Sequence, residues 1–232
     1  MKNLIATIKS WNIENAGALQ QTDHENEWHL ITNPEEFTPE AVRQIDPRYI
    51  FVPHWSWIIP QSIWGGFETV VFHGTDLPFG RGGSPIQNLI ASGIYDTQIS
   101  ALKVDNGLDT GPIYMKSPMD ISHGTVEDIL RKASQIIFER MIPFICSKQP
   151  IPQPQAGEAV LFKRRTPEQG DLTRLNSPSP RRLYDHIRML DGEGYPKAYI
   201  PINGGKLEFY GAHLDGDKFD AKVKFVENKG HG

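Results

Sequence analysis

The sequence predicts an α/β fold with a parallel-rich sheet and a small mixed α/β carboxy-terminal extension, and three observations carry that prediction. Short β-branched and aromatic runs alternate with stretches of helical spacing. A proline-rich segment, Gln149 to Gln155 (Q-P-I-P-Q-P-Q), breaks the alternation as an extended connector. Beyond it, strand-like runs flank an Asn203-Gly204-Gly205 turn, the mark of a β-hairpin.

Taken in order, Leu4 to Ile8, Trp28 to Thr32, Tyr49 to Val52, Thr69 to Phe72 and Thr97 to Val104 read as strands, joined by helical or irregular links. Such an order implies right-handed crossovers. After Phe72 the Gly/Pro-rich stretch cannot continue a strand, and Ser84 before Pro85 marks a helix start. Pro112 to Lys116 is a further strand. The clearest helix is Val126 to Cys146, where Ile129, Leu130, Ala133, Ile136, Ile137, Phe138, Met141 and Ile145 recur at helical spacing. Thr125 with Asp128 gives it an approximate capping box, and Pro143 should kink or shorten its last turn. In the extension Ala159 to Phe162, Ala198 to Ile200, Lys206 to Tyr210 and Lys222 to Val226 read as strands and Ser179 to Leu190 as a helix. The expected division is residues 1–150 as core and 156–228 as extension, with the final E-N-K-G-H-G frayed.

Bulk properties restrict the function classes. A chain of 232 residues suits one domain or a core with an appendage. A net charge of -4 gives no overall basic field, so no nucleic-acid partner is expected. The single cysteine, Cys146, allows no internal disulfide and fits a reducing cytoplasm. No stretch approaches a membrane span, and the start M-K-N-L-I-A-T-I-K-S-W has too short an apolar run for a signal peptide, so a cytoplasmic protein is expected. Gly80 to Gly83 (G-R-G-G) is neither a Walker loop nor a dinucleotide fingerprint, and the eight His show no zinc spacing; no metal is expected.

Chemistry concentrates in two loops. His73 follows the run Thr69 to Phe72 directly, at the carboxyl end of a strand, where open α/β sheets line their ligand crevice. Asp109 lies 36 residues on, in a Gly-bracketed loop between two strand-like runs. Loops on neighbouring strand ends would set the two side by side. A His held against a carboxylate can be protonated near neutral pH, donate to a developing oxyanion and shuttle a proton, which is acyl-transfer chemistry. The same residues can be structural, with the Asp satisfying turn amides.

The blocks F-H-G-T-D-L-P-F-G-R-G-G-S-P-I-Q (Phe72 to Gln87) and D-N-G-L-D-T-G-P-I (Asp105 to Ile113) resemble the formyltransferase family that uses 10-formyltetrahydrofolate. The resemblance implies a Rossmann-like formyltransferase core and an Asn, a His and an Asp around the formyl carbon. His73 and Asp109 match the last two. The Asn position, two residues before the His, is Val71, a change that removes an oxyanion donor worth about two to four kcal/mol elsewhere. Asn88 and Asn106 are candidates to compensate. The resemblance also implies folate contacts at Trp55, Ser56, Trp57 and Ile58, whose apolar surfaces suit a pterin ring, and at Arg81, Asp105, Gly107 and Leu108. Alternate Trp residues on a strand can equally pack a core. His54 reads as a satisfied loop residue.

F-K-R-R-T-P-E-Q-G (Phe162 to Gly170) and Y-D-H-I-R-M-L-D-G-E-G-Y-P-K-A (Tyr184 to Ala198), with W-N-I at Trp11 to Ile13, look like the sugar N-formyltransferase branch, including formyltransferases of pseudaminic-acid and related nonulosonic-acid pathways. That likeness implies a nucleotide-linked amino deoxysugar as acceptor, with Trp11, Asn12, Arg188 and Tyr195 contacting it. The extension is too short for the terminal β-barrel of methionyl-tRNA formyltransferases. Two rivals stay open: another acceptor amine, methionyl-tRNA or glycinamide ribonucleotide, and a folate-binding protein without catalysis. A homodimer through the hairpin edge is a further option.

Overall fold

The computed structural model describes residues 1–228, so of the terminal segment expected to fray, residues 229–232 lie outside the described residues. Six strands form the main sheet: β1 (Lys2–Ala6), β2 (Glu27–Ile31), β3 (Tyr49–Val52), β4 (Glu68–His73), β5 (Asp96–Lys103) and β6 (Ile113–Asp120). Their order is β2-β1-β3-β4-β5-β6. The first four run parallel. Leu4 to Ala6 and Tyr49 to Val52 are buried without alternation, as strands covered on both faces must be. β1 lies between β2 and β3, so the chain branches to either side of it; polar residues just past the carboxyl ends of β1 and β3 therefore stand at a topological switch point.

β5 departs from the parallel run. It pairs antiparallel with β4, Lys103 opposite Val70 and Ser100 opposite His73. Hydrophobic period reports which face a strand buries and is blind to its direction, so the sequence could not distinguish the two.

Helices form where their local signals place them. α1 (Ser10–Thr22) comes after β1; α2 (Pro39–Ile45) starts at Thr38, whose hydroxyl accepts from the Ala41 amide at 3.2 Å. α3 (Pro85–Ala91) has Pro at its first position as expected. Ser84, however, is left-handed and does not cap the helix: its hydroxyl accepts from the Arg165 amide at 3.1 Å. α4 (Val126–Ile136) opens on the reciprocal box, Thr125 Oγ1 accepting from the Asp128 amide and Asp128 Oδ2 from the Thr125 amide. Pro143 does not shorten the helix, one of the two outcomes expected of it. The helix widens to a π turn over Ile137–Met141 and continues as Ile142–Lys148, so the amide Pro143 lacks is absorbed by a local change of pitch.

Cα packing divides the chain into two compact units. The first takes Met1–Gly82, Thr97–Met119 and Arg131–Leu161; the second takes Gly83–Asp96, Asp120–Leu130 and the chain from Phe162 onward. The second contains α5 (Pro180–Arg188) and an antiparallel sheet, β7 (Ala198–Ile202), β8 (Gly205–Asp215) and β9 (Lys218–Glu227). Gly205 pairs with Ile202 across the expected Asn203-Gly204 turn.

Candidate active site

His73 is the last residue of β4 and is buried. Because β5 runs antiparallel, the chain leaves it opposite Val70, and the loop 104–112 has to turn back to reach the imidazole. The loop does so by local rules. Asp105 Oδ1 accepts from the Gly107 amide (3.0 Å) and the Thr110 hydroxyl (2.6 Å), closing an Asx turn. A Cβ on Gly107 would fall 2.0 Å from Thr110 Oγ1, and one on Gly111 only 1.7 Å from the Lys103 carbonyl, so neither position admits a side chain. Asp109 adopts a left-handed φ of 54°. Its Oδ2 then stands 3.6 Å from His73 Nδ1 and accepts from the Gly82 amide at 2.9 Å.

The other imidazole nitrogen fixes the tautomer. Nε2 lies 2.7 Å from the Gly80 carbonyl, which can only accept, so Nε2 carries the hydrogen. Nδ1 and the Asp109 carboxylate are then two acceptors facing one another, and a proton placed between them satisfies both. This arrangement suits a proton-holding pair better than direct donation from Nε2 to an oxyanion.

Val71 packs against the apolar cluster formed by Leu4, Ile50, Val52 and their neighbours and offers no polar group. Neither proposed substitute for the family Asn takes over at His73. Asn88 donates to the carbonyls of Gly83 (2.9 Å) and Lys163 (3.0 Å), and Asn106 is exposed on its loop.

Of the residues expected to hold folate, Trp55 packs edge-on against Phe37 and Trp57, whereas Ser56 is exposed, Trp57 is 50% exposed and Ile58 96% exposed. Leu108 is 67% exposed. Trp57, Ile58 and Leu108 thus present apolar surface to solvent on two loops, the kind of surface a flat heteroaromatic ring needs. Asp105 is turned into its own loop. Arg81 points its Nε and Nη2 at Gln155 Oε1, at 3.1 and 2.7 Å.

Trp11 and Asn12 sit at the switch point between β1 and β3. Both are buried, with the cations of Lys9 and Arg131 over the Trp11 ring. Asn12 Nδ2 donates to Thr7 Oγ1 (2.9 Å) and His54 Nδ1 (3.0 Å), while Asn12 Oδ1 and Trp11 Nε1 find no partner among the described residues. Burial, with a smaller effect of the Lys9 charge, pushes the His54 imidazole down to about 4. His54 is thus a neutral acceptor that orients Asn12.

The acceptor contacts expected in the second unit fare differently. Arg188 is 1% exposed and spends its charge inside the protein, with Nε on Asp185 Oδ1 at 2.7 Å and Nη1 on the Gly124 carbonyl at 3.1 Å. It cannot reach a phosphate. Tyr195 lines an open cleft of about 510 Å³ with Glu127, Asp128, Asp191, Glu193 and Lys197. Four carboxylates face one lysine already bonded to Asp191 at 2.6 Å, an environment that repels a nucleotide diphosphate. Among the described residues no group of three or more His, Cys, Asp or Glu could hold a metal ion, and no helix is long and apolar enough to cross a membrane.

Comparison with known proteins bears on the acceptor. A family model described as formyl transferase matches residues 13–141, and one described as methionyl-tRNA formyltransferase, C-terminal domain, matches residues 167–226. A methionyl-tRNA formyltransferase of Rickettsia bellii is 31% identical over 199 residues, covering 84% of this chain and 64% of the relative. The solved structure of a methionyl-tRNA formyltransferase from Clostridium thermocellum superposes with a TM-score of 0.94 at 50% identity, covering 98% of this chain and 100% of that one. HypX from Aquifex aeolicus, solved with tetrahydrofolic acid, shares the fold at a TM-score of 0.73 and 16% identity, over 91% of this chain and 38% of its own. The chain spans 59 to 64% of the length of the first curated relatives it matches. These relatives overturn the expectation of a nucleotide-linked amino sugar as acceptor and of no nucleic-acid partner. The overall charge is an average. Residues 162–232 hold 13 Lys and Arg against 10 Asp and Glu, a net +3, and the rest of the chain carries -7.

Proposed function

We propose, from the premise that this chain belongs to the formyl transferase family, that it moves the formyl group of 10-formyltetrahydrofolate onto a primary amine, with methionyl-tRNA as the acceptor. The carrying observation is the His73–Asp109 pair, 3.6 Å apart at the end of β4 with Nε2 anchored on Gly80. The acceptor rests on the relatives' named activity and on the positive balance of residues 162–232. We assign the chemistry to residues 1–150, leave 156–228 as the extension, and place the reaction in the cytoplasm.

When bound, the folate supplies an electrophilic formyl carbon. The residues here supply position and proton management. Trp57, Ile58 and Leu108 offer apolar surface to the pterin. The acceptor's neutral amine forms its bond to the formyl carbon as the bond from that carbon to N10 breaks. The proton the amine loses passes to the His73–Asp109 pair, is held between Nδ1 and Oδ2, and returns to N10. No covalent bond to the protein is needed. With Val71 in place of an amide side chain, the formyl oxygen lacks one donor, so a slow intrinsic step is expected.

The test is tetrahydrofolate release, followed by absorbance, together with the mass of the formylated product on methionyl-tRNA. His73→Ala and Asp109→Asn should each lower turnover by about 10²- to 10⁴-fold. Wild-type turnover in both variants would overturn the assignment, and tight folate binding with no product from methionyl-tRNA or glycinamide ribonucleotide would leave a binding protein.

A further inference from the structure

We propose that Gln155, in the proline-rich connector, is a positioning residue for Asp109, an inference that rests on the catalytic role proposed for Asp109. Its side-chain amide makes four hydrogen bonds. Nε2 donates to the carbonyls of Asp109 and Gly111, both at 2.8 Å, and Oε1 accepts from Arg81 Nε at 3.1 Å and Nη2 at 2.7 Å. These use both hydrogens and both lone pairs of the amide. The orientation is therefore determined by chemistry: the flipped amide would set its NH₂ against a guanidinium and its oxygen against two carbonyls.

The backbone that Gln155 grips needs gripping. Asp109 holds φ at 54°, a region that non-glycine residues leave unless their surroundings over-determine it. The orientation of the Asp109 peptide sets the direction of its Cα–Cβ bond and so the place of the carboxylate. Gln155 fixes that peptide on one side, and the Gly82 amide fixes the carboxylate on the other.

Three consecutive residues tie this clamp to the imidazole. The Gly80 carbonyl accepts from His73 Nε2, the Arg81 side chain holds Gln155, and the Gly82 amide donates to Asp109. The connector is itself pinned, Gln153 exchanging backbone bonds with Ile113 at 2.8 Å in both directions and the Val160 carbonyl accepting from the amides of Gly80 and Arg81. Without the Gln155 amide, two carbonyls lose their donor and the left-handed residue is free to relax, carrying Oδ2 away from Nδ1. The glutamine touches no reacting atom; it acts through Asp109.

The experiment compares Gln155→Leu and Gln155→Glu with the wild type and with Gln153→Leu, whose lost amide bonds only the Ile151 carbonyl. Both Gln155 variants should lower kcat by about ten- to a hundred-fold, the scale of a small misplacement of a reacting group, with KM for 10-formyltetrahydrofolate unchanged. The ¹⁵N resonances of the His73 imidazole, followed through a pH titration, should move in both and stay in place in Gln153→Leu. Full kcat with unmoved His73 resonances in either Gln155 variant overturns the proposal. So does a loss of kcat that merely tracks the folded fraction. If Gln155→Leu does not fold, Gln155→Glu decides by the same criteria, because its carboxylate keeps the Arg81 contact and loses only the donors. If the wild type itself transfers no formyl group, the functional reading fails and the His73 resonances still decide the positioning claim.

Discussion

Two pairs of a basic side chain and a carboxylate, His73 with Asp109 in the first unit and Arg188 with Asp185 in the second, share their chemistry and are built to opposite ends. Both oxygens of Asp185 are engaged, Oδ1 by Arg188 Nε at 2.7 Å and Oδ2 by the Tyr95 hydroxyl at 2.6 Å and Arg181 Nε at 2.9 Å. Among the described residues the Asp109 carboxylate accepts one hydrogen bond, from Gly82, and it faces His73 across 3.6 Å. A carboxylate with both oxygens held by cationic or hydroxyl donors stabilises a fold, whereas one that keeps a single amide donor can take a proton from a substrate. Counting filled valences separates the two roles where burial and charge do not.

The largest effects should break this comparison in opposite directions. Asp109→Asn should remove most turnover, by about 10²- to 10⁴-fold, while the thermal midpoint barely moves, since only one hydrogen bond, from the Gly82 amide, depends on that carboxylate. Asp185→Asn should do the reverse. It leaves the Arg188 guanidinium buried without its counter-charge, a change that costs about 3–5 kcal/mol, read as a large drop in thermal midpoint with kcat per folded molecule retained. If Asp185→Asn abolishes kcat in a fully folded protein, the contrast between the two carboxylates is wrong.

How much of this was legible in the sequence depends on the range of the interaction. Tyr49 to Val52 appears as a strand at its expected residues because four adjacent apolar side chains state their own burial. The capping box at Thr125 and the turn at Asn203 are equally local. The antiparallel direction of β5 is not written in a two-residue period. Arg188 read as a contact to the acceptor because two partners of its cluster, Tyr95 and Gly124, come from far along the chain. Gln155 could not be told from Gln149 or Gln153 within one proline-rich run; only the return of the 104–112 loop reveals which of them meets two carbonyls. The methionyl-tRNA now proposed as acceptor was not expected, because chain-wide charge conceals a positive final third.

A smaller effect comes from His186, buried on the same helix as Asp185. Burial, reinforced by the Arg165 charge, pushes its imidazole down to about 4, against an ordinary 6.5. The folded state thus binds no proton there while the unfolded chain takes one up below about pH 6.5. Stability from this group is whole above that pH and is lost as the pH falls toward 4, by up to about 3 kcal/mol at the bottom of the window. Thermal midpoints measured from pH 7 down to pH 4.5 should fall, and His186→Asn should flatten the slope. His54 contributes with the same sign, so a slope unchanged in His186→Asn would assign the dependence to the first unit.

The finest test removes one hydroxyl from each region. Tyr95→Phe deletes a donor to Asp185, but Arg181 remains on the same oxygen, so the loss should be about 1 kcal/mol of stability with no change in kcat. Thr110→Val deletes the 2.6 Å bond to Asp105 that helps close the loop carrying Asp109. The Gly107 amide stays on Asp105 and Gln155 still holds the Asp109 and Gly111 carbonyls, but the Asp109 carboxylate has a single hydrogen bond of its own, so a small displacement should reach the chemistry. The expected result is a few-fold lower kcat at an almost unchanged thermal midpoint. Equal losses of stability in the two variants, with kcat untouched in both, would mean that the Asp109 loop is held as redundantly as the Asp185 network and that valence counting does not mark the working carboxylate.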